Sequence, residues 1–398
     1  MKRTILIFLA LCGLLMNAMA QKGAIPVRIE EVRGNEQYYG FILNNGTVVV
    51  KPKYIEAHEF SEGLAAVMDT NHRWGFINTA GKRVFILPSY VSKVGDFSEG
   101  LCWFRNSNTD MVGFVDRSGK VVIRPQWNFA HNFSDGLAAV GNGRTLGDPW
   151  FEIGNLLGYI NHKGVMVIPL DIHHGNYGNE NFHCQRAIIE TDDRLMIIDT
   201  KGNEVFGGIY RSSFGEFSEG LCTVATATNA PCNAGNGDKD LPPCKLHWCV
   251  IDTAGRVVID DIKAAEFHEG MAKVDLSDNP RLSPDGKETD NKKRGDFVFV
   301  DTTGKVLFDR KFKDAEYFSE GVALVEEMDG TTGFINHKGE MELQLPKEYV
   351  SYICNGFEHG LITIFKSVKK GKYTYYTDRT IDRKGKIVWE IKYYSWFN

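Results

Sequence analysis

A short turn signal recurs along the whole chain and constrains its fold more than any other feature. In eight of nine copies, Asn or Asp lies three residues before a glycine, and the first copy has Leu43 at that place. The nine turn glycines are Gly46, Gly81, Gly119, Gly164, Gly202, Gly255, Gly304, Gly339 and Gly385. The Asx side chain accepts hydrogen bonds from the turn backbone, and the glycine adopts the positive φ that ends a type I turn with a bulge. Because strand-forming runs flank each copy, every copy predicts a β-hairpin.

A second motif, Phe-Ser-Glu-Gly-Leu, precedes the hairpins. Good copies begin at Phe60, Phe97, Phe133, Phe217 and Phe318, looser copies begin at Phe267 and Phe357, and the copy at Phe182 has lost its glycine. A strand-like run such as Leu64–Val67 follows each copy. One unit is therefore three short antiparallel strands: a Gly-Leu strand, a Trp-Gly-Phe-Ile strand and a Val-Val strand. The first unit lacks the Phe motif and starts near Ile25.

These repeats predict an all-β fold of about nine tandem three-stranded antiparallel units, forming one array over residues 21–398. The units span about 24–54, 60–90, 97–127, 133–170, 182–210, 217–262, 267–312, 318–346 and 357–391. Each unit is too small to bury its own apolar face and must stack on its neighbours. Two arrangements remain open, a propeller-like ring and an open superhelix. Nine units exceed the usual blade number and favour an open array, whereas the aromatic tail 393–397 could close a ring or cap the last unit.

The motifs resemble the WG-containing repeat of bacteria. The similarity is carried by Trp74-Gly75-Phe76-Ile77-Asn78 and by the dipeptides in register with Trp74-Gly75, which end in Gly40, Gly113, Gly158 and Gly333. The namesake tryptophan is present in place only at Trp74 and Trp248. The resemblance covers residues 24–391 and implies an exported or surface-associated protein. It implies no set of catalytic residues.

The first twenty residues have the pattern of a secretory signal peptide. Lys2 and Arg3 precede a short apolar run, and Ala18-Met19-Ala20 is a cleavage signal. We therefore expect export to the periplasm, the cell surface or the medium. No later stretch is apolar enough for stable membrane insertion, and the net charge of -5 shows no bias towards nucleic acid.

Four insertions lie at one place in the repeat, between the first and second strands. They span 141–155, 225–247, 275–295 and 366–378. Equivalent connections project from the same side of a repeat array, and that side is often the binding face. The binding candidates on this insertion face are Trp150, Asp238, Asp240 and Asp285. Other aromatic residues outside the repeat pattern, which could stack on sugar rings, are Trp103, Trp127, Trp389 and Trp396.

The repeated acidic and aromatic positions are interpreted as architecture. One carboxylate per unit, at Glu62, Glu99, Asp135, Glu219, Glu269 and Glu320, is expected to cap backbone N–H groups of its own bend. The phenylalanine that begins each motif is expected to lie in the core between units.

Export permits disulfides, and seven cysteines follow the signal peptide. A Cys232–Cys244 bridge would fasten the insertion 225–247, and Cys222 and Cys249 could form a second bridge. Cys102 is expected to be a buried small residue. Metal binding by Cys232, Cys244, His247 and Cys249, or by the His173, His174, His183 and Cys184 group, is the weaker alternative.

Known catalytic and nucleotide-binding motifs do not occur in the sequence. We therefore expect a non-catalytic binding or scaffolding protein of the cell envelope, monomeric and without a cofactor. Its partner would be a protein or an envelope glycan. The alternatives are a carbohydrate or cell-wall binding module and an enzyme whose site lies in the insertion loops.

Overall fold

The Asx-Gly turns form the hairpins that the sequence predicts. In the computed structural model, the Gly81 amide donates to the Asn78 carbonyl at 2.8 Å, and the Asn78 side chain accepts from the amides of Ala80 and Lys82. Gly81 has φ +73°, and the pairing register shifts directly before the turn, between Phe76 and Ile77. The same hydrogen bond to the residue three positions before the glycine is made in all nine turns, including the one that begins with Leu43.

The structure describes residues 25–33, 36–142, 156–173, 181–190, 195–206, 210–228, 246–279, 296–349, 356–370 and 373–396. These residues form antiparallel strands, and no helix among them is long and apolar enough to cross a membrane. The first sheet contains β1 (Val27–Arg33), β2 (Glu36–Ile42) and β3 (Val48–Tyr54), and the second contains β4 (Glu56–Ala57), β5 (Leu64–Met68), β6 (Trp74–Asn78) and β7 (Arg83–Ile86). The third contains β8 (Val91–Val94), β9 (Leu101–Asn106), β10 (Met111–Asp116) and β11 (Val121–Trp127). The fourth contains β12 (Phe129–Ala130), β13 (Leu137–Asn142), β14 (Leu156–Asn161) and β15 (Met166–His173).

The remaining strands form two six-stranded sheets and one three-stranded sheet. The fifth sheet contains β16 (Arg186–Glu190), β17 (Leu195–Asp199), β18 (Tyr210–Ser218), β19 (Leu221–Ala227), β20 (Leu246–Asp252) and β21 (Val257–Asp260). The sixth contains β22 (Met271–Asp275), β23 (Phe297–Asp301), β24 (Phe312–Ala315), β25 (Val322–Glu327), β26 (Thr332–Asn336) and β27 (Met341–Gln344). The seventh contains β28 (Leu361–Lys370), β29 (Tyr373–Asp382) and β30 (Ile387–Trp396).

Most units gain a fourth strand that the sequence does not reveal. In the second sheet the order is β4-β5-β6-β7, and Ala57 of β4 pairs with Val67 of β5. The Phe-Ser-Glu-Gly segment is the turn of this extra hairpin, because Ser61 and Leu64 exchange both backbone hydrogen bonds. The extra strand can be as short as two residues, and a run this short shows no period-2 pattern. Four-stranded sheets are the usual blades of a propeller.

The nine units are grouped into seven hydrogen-bonded sheets. In the fifth sheet, β17 of the unit 182–210 is joined to β18 by a single residue pair, Leu195 with Tyr210. Because β18 also pairs with β19 of the unit 217–262, the two units share one sheet. The pair Phe297 and Phe312 joins the units 267–312 and 318–346 in the same way. The seven sheets stand in a ring, which is a seven-bladed propeller-like arrangement. The repeat count of nine and the sheet count of seven therefore describe the same structure.

The core lies between units, and its apolar clusters run around the ring. Nine clusters of buried side chains occupy successive unit junctions among the described residues. Phe60, Phe97 and Phe133 are buried there, as expected. The ninth cluster joins Val27 and Ile29 of the first sheet to Leu361 of the last. The array therefore closes, and of the two predicted arrangements the structure has the ring.

Candidate functional site

The Phe-Ser-Glu-Gly segments, called bends below, contact one another from unit to unit. The Ser98 hydroxyl donates to the Phe133 carbonyl of the next bend at 2.6 Å. Four other bend serines make the same contact, and their acceptors are also the phenylalanine carbonyls of the following bends: Ser61 to Phe97, Ser134 to Phe182, Ser218 to Phe267 and Ser319 to Phe357. Each described serine of this kind is therefore part of the scaffold.

The repeated carboxylates also reach the next unit, and this corrects the expectation that each caps its own bend. Glu62 accepts from the Gly100 amide at 3.0 Å. The other pairs are Glu99 with Gly136, Asp135 with Gln185, Glu219 with Gly270, Glu269 with Gly321 and Glu320 with Gly360, at 2.6–3.1 Å. The acidic residue has a positive φ, 51° at Glu62, so the bend is a tight primed turn that points the carboxylate away from its own amides.

An Arg or His side chain on the next hairpin turn joins the contact in four units, and sequence reasoning missed it. Arg117 pairs with Glu62 and lies over the Phe97 ring, and His162 pairs with Glu99 and stacks on Phe133 at 4.5 Å. His337 repeats the arrangement with Glu269 and Phe318. Arg383 lies over the Phe357 ring and donates to the Glu320 backbone carbonyl. The available signal was the residue after the Asx of the turn, which is Arg or His in these four copies.

The fourth bend, which begins at Phe182 and has lost its glycine, contacts the following unit in a different way. His183 stands where other bends have serine, and its Nε2 lies 2.6 Å from Glu216 Oε2 in the following unit. The hydrogen bond to Glu216 raises the pKa of His183. This imidazole is therefore engaged with a carboxylate, and the described residues contain no group of His, Cys, Asp and Glu that could hold a metal.

A second junction departs from the repeated scheme, where units nine, one and two meet. The first unit has no Phe-Ser-Glu-Gly sequence, so the repeated residues that fill the other junctions are not encoded there. A cavity of about 270 Å³ lies at this junction, which is called the seam cavity below. Its described lining is Val27, Arg28, Ile29, Glu30, Glu59, Gly356, Glu358, Leu361, Ile362, Thr363, Asp378, Thr380, Trp389 and Ile391.

Strands from both ends of the chain position the seam cavity. β1 supplies one wall, and β28, β29 and β30 supply the other, with Thr363, Thr380 and Trp389 paired side by side across them. The Trp389 indole N–H donates to the Glu30 carbonyl at 2.9 Å, which ties β30 to β1. The cavity therefore exists only because the ring is closed.

Carboxylates dominate the charge of the seam cavity. Arg28 is the one cation among the described lining residues, and it is committed to Glu59, with Nε 3.3 Å from Oε1. Burial raises the pKa of Glu59, and the charges of Glu358 and Asp96 act in the same direction. The Arg28 charge and amide oppose that rise.

Among the carboxylates of the cavity, Asp378 has the fewest contacts that compensate its negative charge. Burial raises its pKa, the nearby Glu30 raises it further, and a hydrogen bond from Tyr393 opposes the rise. Its Oδ1 atom is buried and accepts no hydrogen bond within the described part of the chain. Burial and the Asp378 charge raise the pKa of Tyr393 to about 12. This end of the cavity therefore holds two neighbouring carboxylates, Glu30 and Asp378, without a cation.

Trp150, Asp238, Asp240 and Asp285 lie outside the described residues. The same holds for Cys232 and Cys244 and for the signal peptide. Of the predicted aromatics, Trp127 is buried in the core, whereas Trp389 lies in the cavity wall. Sequence reasoning singled out Trp389 but missed Arg28, Glu59 and Asp378, which share no motif.

The cysteines that are described carry free thiols, against the expected second bridge. Cys222 pairs with Ile251 and Cys249 with Val224, so the two cysteines are offset by two residues on neighbouring strands and do not face each other. Both are buried, and burial raises the pKa of each thiol. Cys102 is fully buried, as expected of a small core residue.

Together, the closed ring and its repeated inter-unit contacts define an all-β repeat protein of propeller-like type. Four segments, residues 39–71, 74–109, 113–143 and 299–330, match the family model described as WG containing repeat. The chain is therefore a WG-containing repeat protein. A repeat fold of this type is typical of binding and scaffolding rather than catalysis.

Several solved structures are similar in outline. BamB from Moraxella catarrhalis has 12% identity and a TM-score of 0.35, covering 84% of this chain and 86% of that one. A structure titled as the eukaryotic initiation factor has 9% identity and a TM-score of 0.41, over 84% and 95%. The WD40 β-propeller domain of Doa1 has 12% identity and a TM-score of 0.28, over 68% and 88%. No curated protein sequence matches this chain. The fold description rests on the strand pairing of the chain itself.

Proposed function

We propose that this protein is an exported, non-catalytic binding or scaffolding protein of the cell envelope, with a protein or an envelope glycan as its partner. The proposal rests on the observation that the repeated polar side chains join neighbouring units. The bend serines, the bend carboxylates and four Arg or His side chains of the turns are engaged in contacts between units, as at Ser98, Glu99 and His162. Residues that recur for such contacts build a rigid ring, and a rigid ring presents loops at fixed positions.

Two surfaces are available to a partner. The first is the insertion face, which carries the predicted residues Trp150, Asp238, Asp240 and Asp285. In the described repeats, the bend and the Asx-Gly turn lie at one end of the sheet, because Leu64 pairs with Asn78. The connections that accept insertions lie at the other end, beyond the pair Met68 and Trp74. The second surface is the seam cavity.

Capture from envelope extract tests the binding role. The full mature chain is immobilised, cross-linked to its native extract and compared with Trp150→Ala and Asp378→Asn variants, which alter one surface each. We expect one specific partner, lost with one of the two variants. Retention of nothing beyond what an unrelated propeller retains would overturn the proposal.

Carbohydrate or cell-wall binding is the second candidate. Trp389 in the cavity wall, beside carboxylates that can accept sugar hydroxyls, favours it. A glycan array and a peptidoglycan pull-down with the wild-type chain test it. Failure on both would remove the glycan and leave the protein partner. The enzyme alternative places its site in the insertion loops, which lie outside the described residues, and stays a prediction.

Export is tested on the protein from its own cells. We expect the mature chain to begin at Gln21 and to be found in the envelope or medium fraction. An Ala20→Arg variant should retain the leader, since small residues are required at the cleavage site. A wild-type protein that keeps Met1 and stays in the cytosol would contradict export.

A further inference from the structure

We propose that the seam cavity binds a primary ammonium group carried on an unbranched apolar stem, such as a diamine or a lysine side chain. This inference rests on the proposed binding function and names its ligand chemistry. It would place the ligand between the first and the last unit of the ring.

The charge balance of the cavity points to a cation. Arg28 is held by Glu59 and by the Ala57 carbonyl, 2.7 Å from its Nη1, so it is not available to the other carboxylates. Glu30 and Asp378 also line the cavity, and burial and the Glu30 charge raise the pKa of Asp378, as expected for two carboxylates that repel each other. A positively charged group in the cavity would relieve that repulsion. A neutral sugar would not.

The remainder of the lining favours an organic cation over a metal ion. Val27, Ile29, Leu361 and Ile391 give the cavity apolar walls, and the Trp389 ring adds a face that attracts cations. A hard metal ion requires several oxygen ligands around one point, and the described residues contain no such group. The volume of about 270 Å³ lies just below the range of drug-sized ligand pockets, which suits a short stem with one charged end.

Binding should couple to ring closure. Apart from Ala57 and Glu59 of the second unit, every residue named above belongs to β1, β28, β29 or β30, so a ligand there contacts both ends of the chain. A ligand that binds only the closed ring stabilises it by mass action. The melting temperature should therefore rise with ligand concentration.

The experiment uses the full mature chain and three small probes. 1,5-Diaminopentane represents a free diamine, Nα-acetyl-lysine methylamide represents a lysine side chain of a protein, and 1,5-pentanediol is the uncharged shape control. Titration calorimetry and thermal shift are measured at pH 7. We expect saturable binding and a higher melting temperature with at least one ammonium probe, and none with the diol. The probe that binds more tightly identifies the source of the ammonium group.

Two matched variants locate the site. Asp378→Asn removes one charge from the cavity and should weaken ammonium binding about 10-fold or more, which corresponds to about 1.4 kcal/mol. Glu390→Gln removes the same charge from the same sheet, but Glu390 faces away from the cavity and pairs with Arg379. It should leave binding within about twofold.

The possible outcomes distinguish failure of this inference from failure of the proposed binding function. Equal binding of the diol, equal weakening by both variants, or no binding of either ammonium probe at millimolar concentration would each overturn the inference. Because no extract is involved, failure here is independent of the partner capture described above. Conversely, ammonium binding without a captured partner would leave this inference intact and remove the proposed protein partner.

Discussion

At the scale of single residues, the turn glycines serve two physical purposes that can be separated. Each adopts a positive φ, and each packs against the third strand of the preceding unit. A Cβ on Gly119 would lie 2.6 Å from the Phe85 ring, and one on Gly81 would lie 2.6 Å from Val50. Gly164 on Ile123 and Gly385 on Leu343 repeat the contact. The bend glycines share the positive φ but have open space around them.

Gly119→Ala and Gly136→Ala form a matched pair. Their φ values are +84° and +86°, but a Cβ on Gly136 has nothing within 4 Å. We expect Gly136→Ala to lower the free energy of unfolding by about 1 kcal/mol, the cost of the left-handed conformation. Gly119→Ala should cost about 1–3 kcal/mol more, because the methyl group overpacks the junction. Chemical denaturation measures both, and equal losses would contradict the packing role.

Asp378→Asn and Glu390→Gln should change stability in opposite directions. The pKa of Asp378 is raised by burial, so its charge destabilises the fold once the pH exceeds the ordinary aspartate range near 4. The pKa of Glu390 is lowered by Lys392 and Arg379, so its charge stabilises the fold above that range. At pH 7 we expect a higher melting temperature for the first variant and a lower one for the second. Both differences should shrink towards pH 3, and differences of the same sign would contradict the assignment.

The buried thiols of Cys102, Cys222 and Cys249 should be reactive only after unfolding, whereas Cys184 is exposed. Cys102 and Cys222 are buried, and burial raises the pKa of each thiol, so neither is exposed as thiolate in the native state. Alkylation without reductant, before and after denaturation, followed by peptide mapping, tests this. We expect Cys102, Cys222 and Cys249 to be modified only in the denatured sample. A linked Cys222–Cys249 peptide would contradict the free thiols, and the same map tests the predicted Cys232–Cys244 bridge.

At the scale of elements, the hairpins are local and the contacts between units are not. The Asx-Gly turn is encoded by four adjacent residues, which is why the sequence predicts it at every copy, as at Asn78 and Gly81. The contacts of the bend serines and the bend carboxylates depend on partners 35–50 residues away, such as Phe133 for Ser98 and Gln185 for Asp135. Those partners are fixed only when two units pack, so a repeat pattern identifies the residues without giving their contacts.

Ser98→Ala tests the contact between bends. It removes the hydroxyl that donates to the Phe133 carbonyl, and we expect a loss of about 1 kcal/mol of unfolding free energy. Ser107→Ala is the control, because the Ser107 hydroxyl donates to the Tyr90 carbonyl at an exposed position and takes no part in a contact between bends. It should change stability by less than about 0.5 kcal/mol. Similar effects of the two changes would mean that the bend contact adds no stability.

At the scale of the whole molecule, closure could not be predicted from the repeat count. Counting nine units favoured an open array, because a propeller normally has fewer blades. The prediction did not foresee that two pairs of units merge into six-stranded sheets through Leu195–Tyr210 and Phe297–Phe312. The seam cavity was equally inaccessible, since Arg28 and Asp378 come from opposite ends of the chain. Its one sequence signal was the Phe motif that the first unit lacks.

Trp389→Phe tests closure directly. The indole N–H donates to Glu30, 359 residues away, and its loss should cost about 1 kcal/mol. Amide hydrogen exchange should accelerate about fivefold in both β1 and β30 and stay unchanged in β9 and β10. Faster exchange confined to β30 would show that the contact does not hold the ring together.

The contacts between units have a direction, and this has a consequence for assembly. Each bend serine donates forward along the chain, and each bend carboxylate accepts from the unit that follows. The two faces of a unit are therefore different, so the ring is built head to tail, as in a heterologous assembly within one chain. If the seam opened, the free face of unit nine would match the free face of unit one on another molecule. Closure thus covers the two faces through which opened chains could otherwise join end to end.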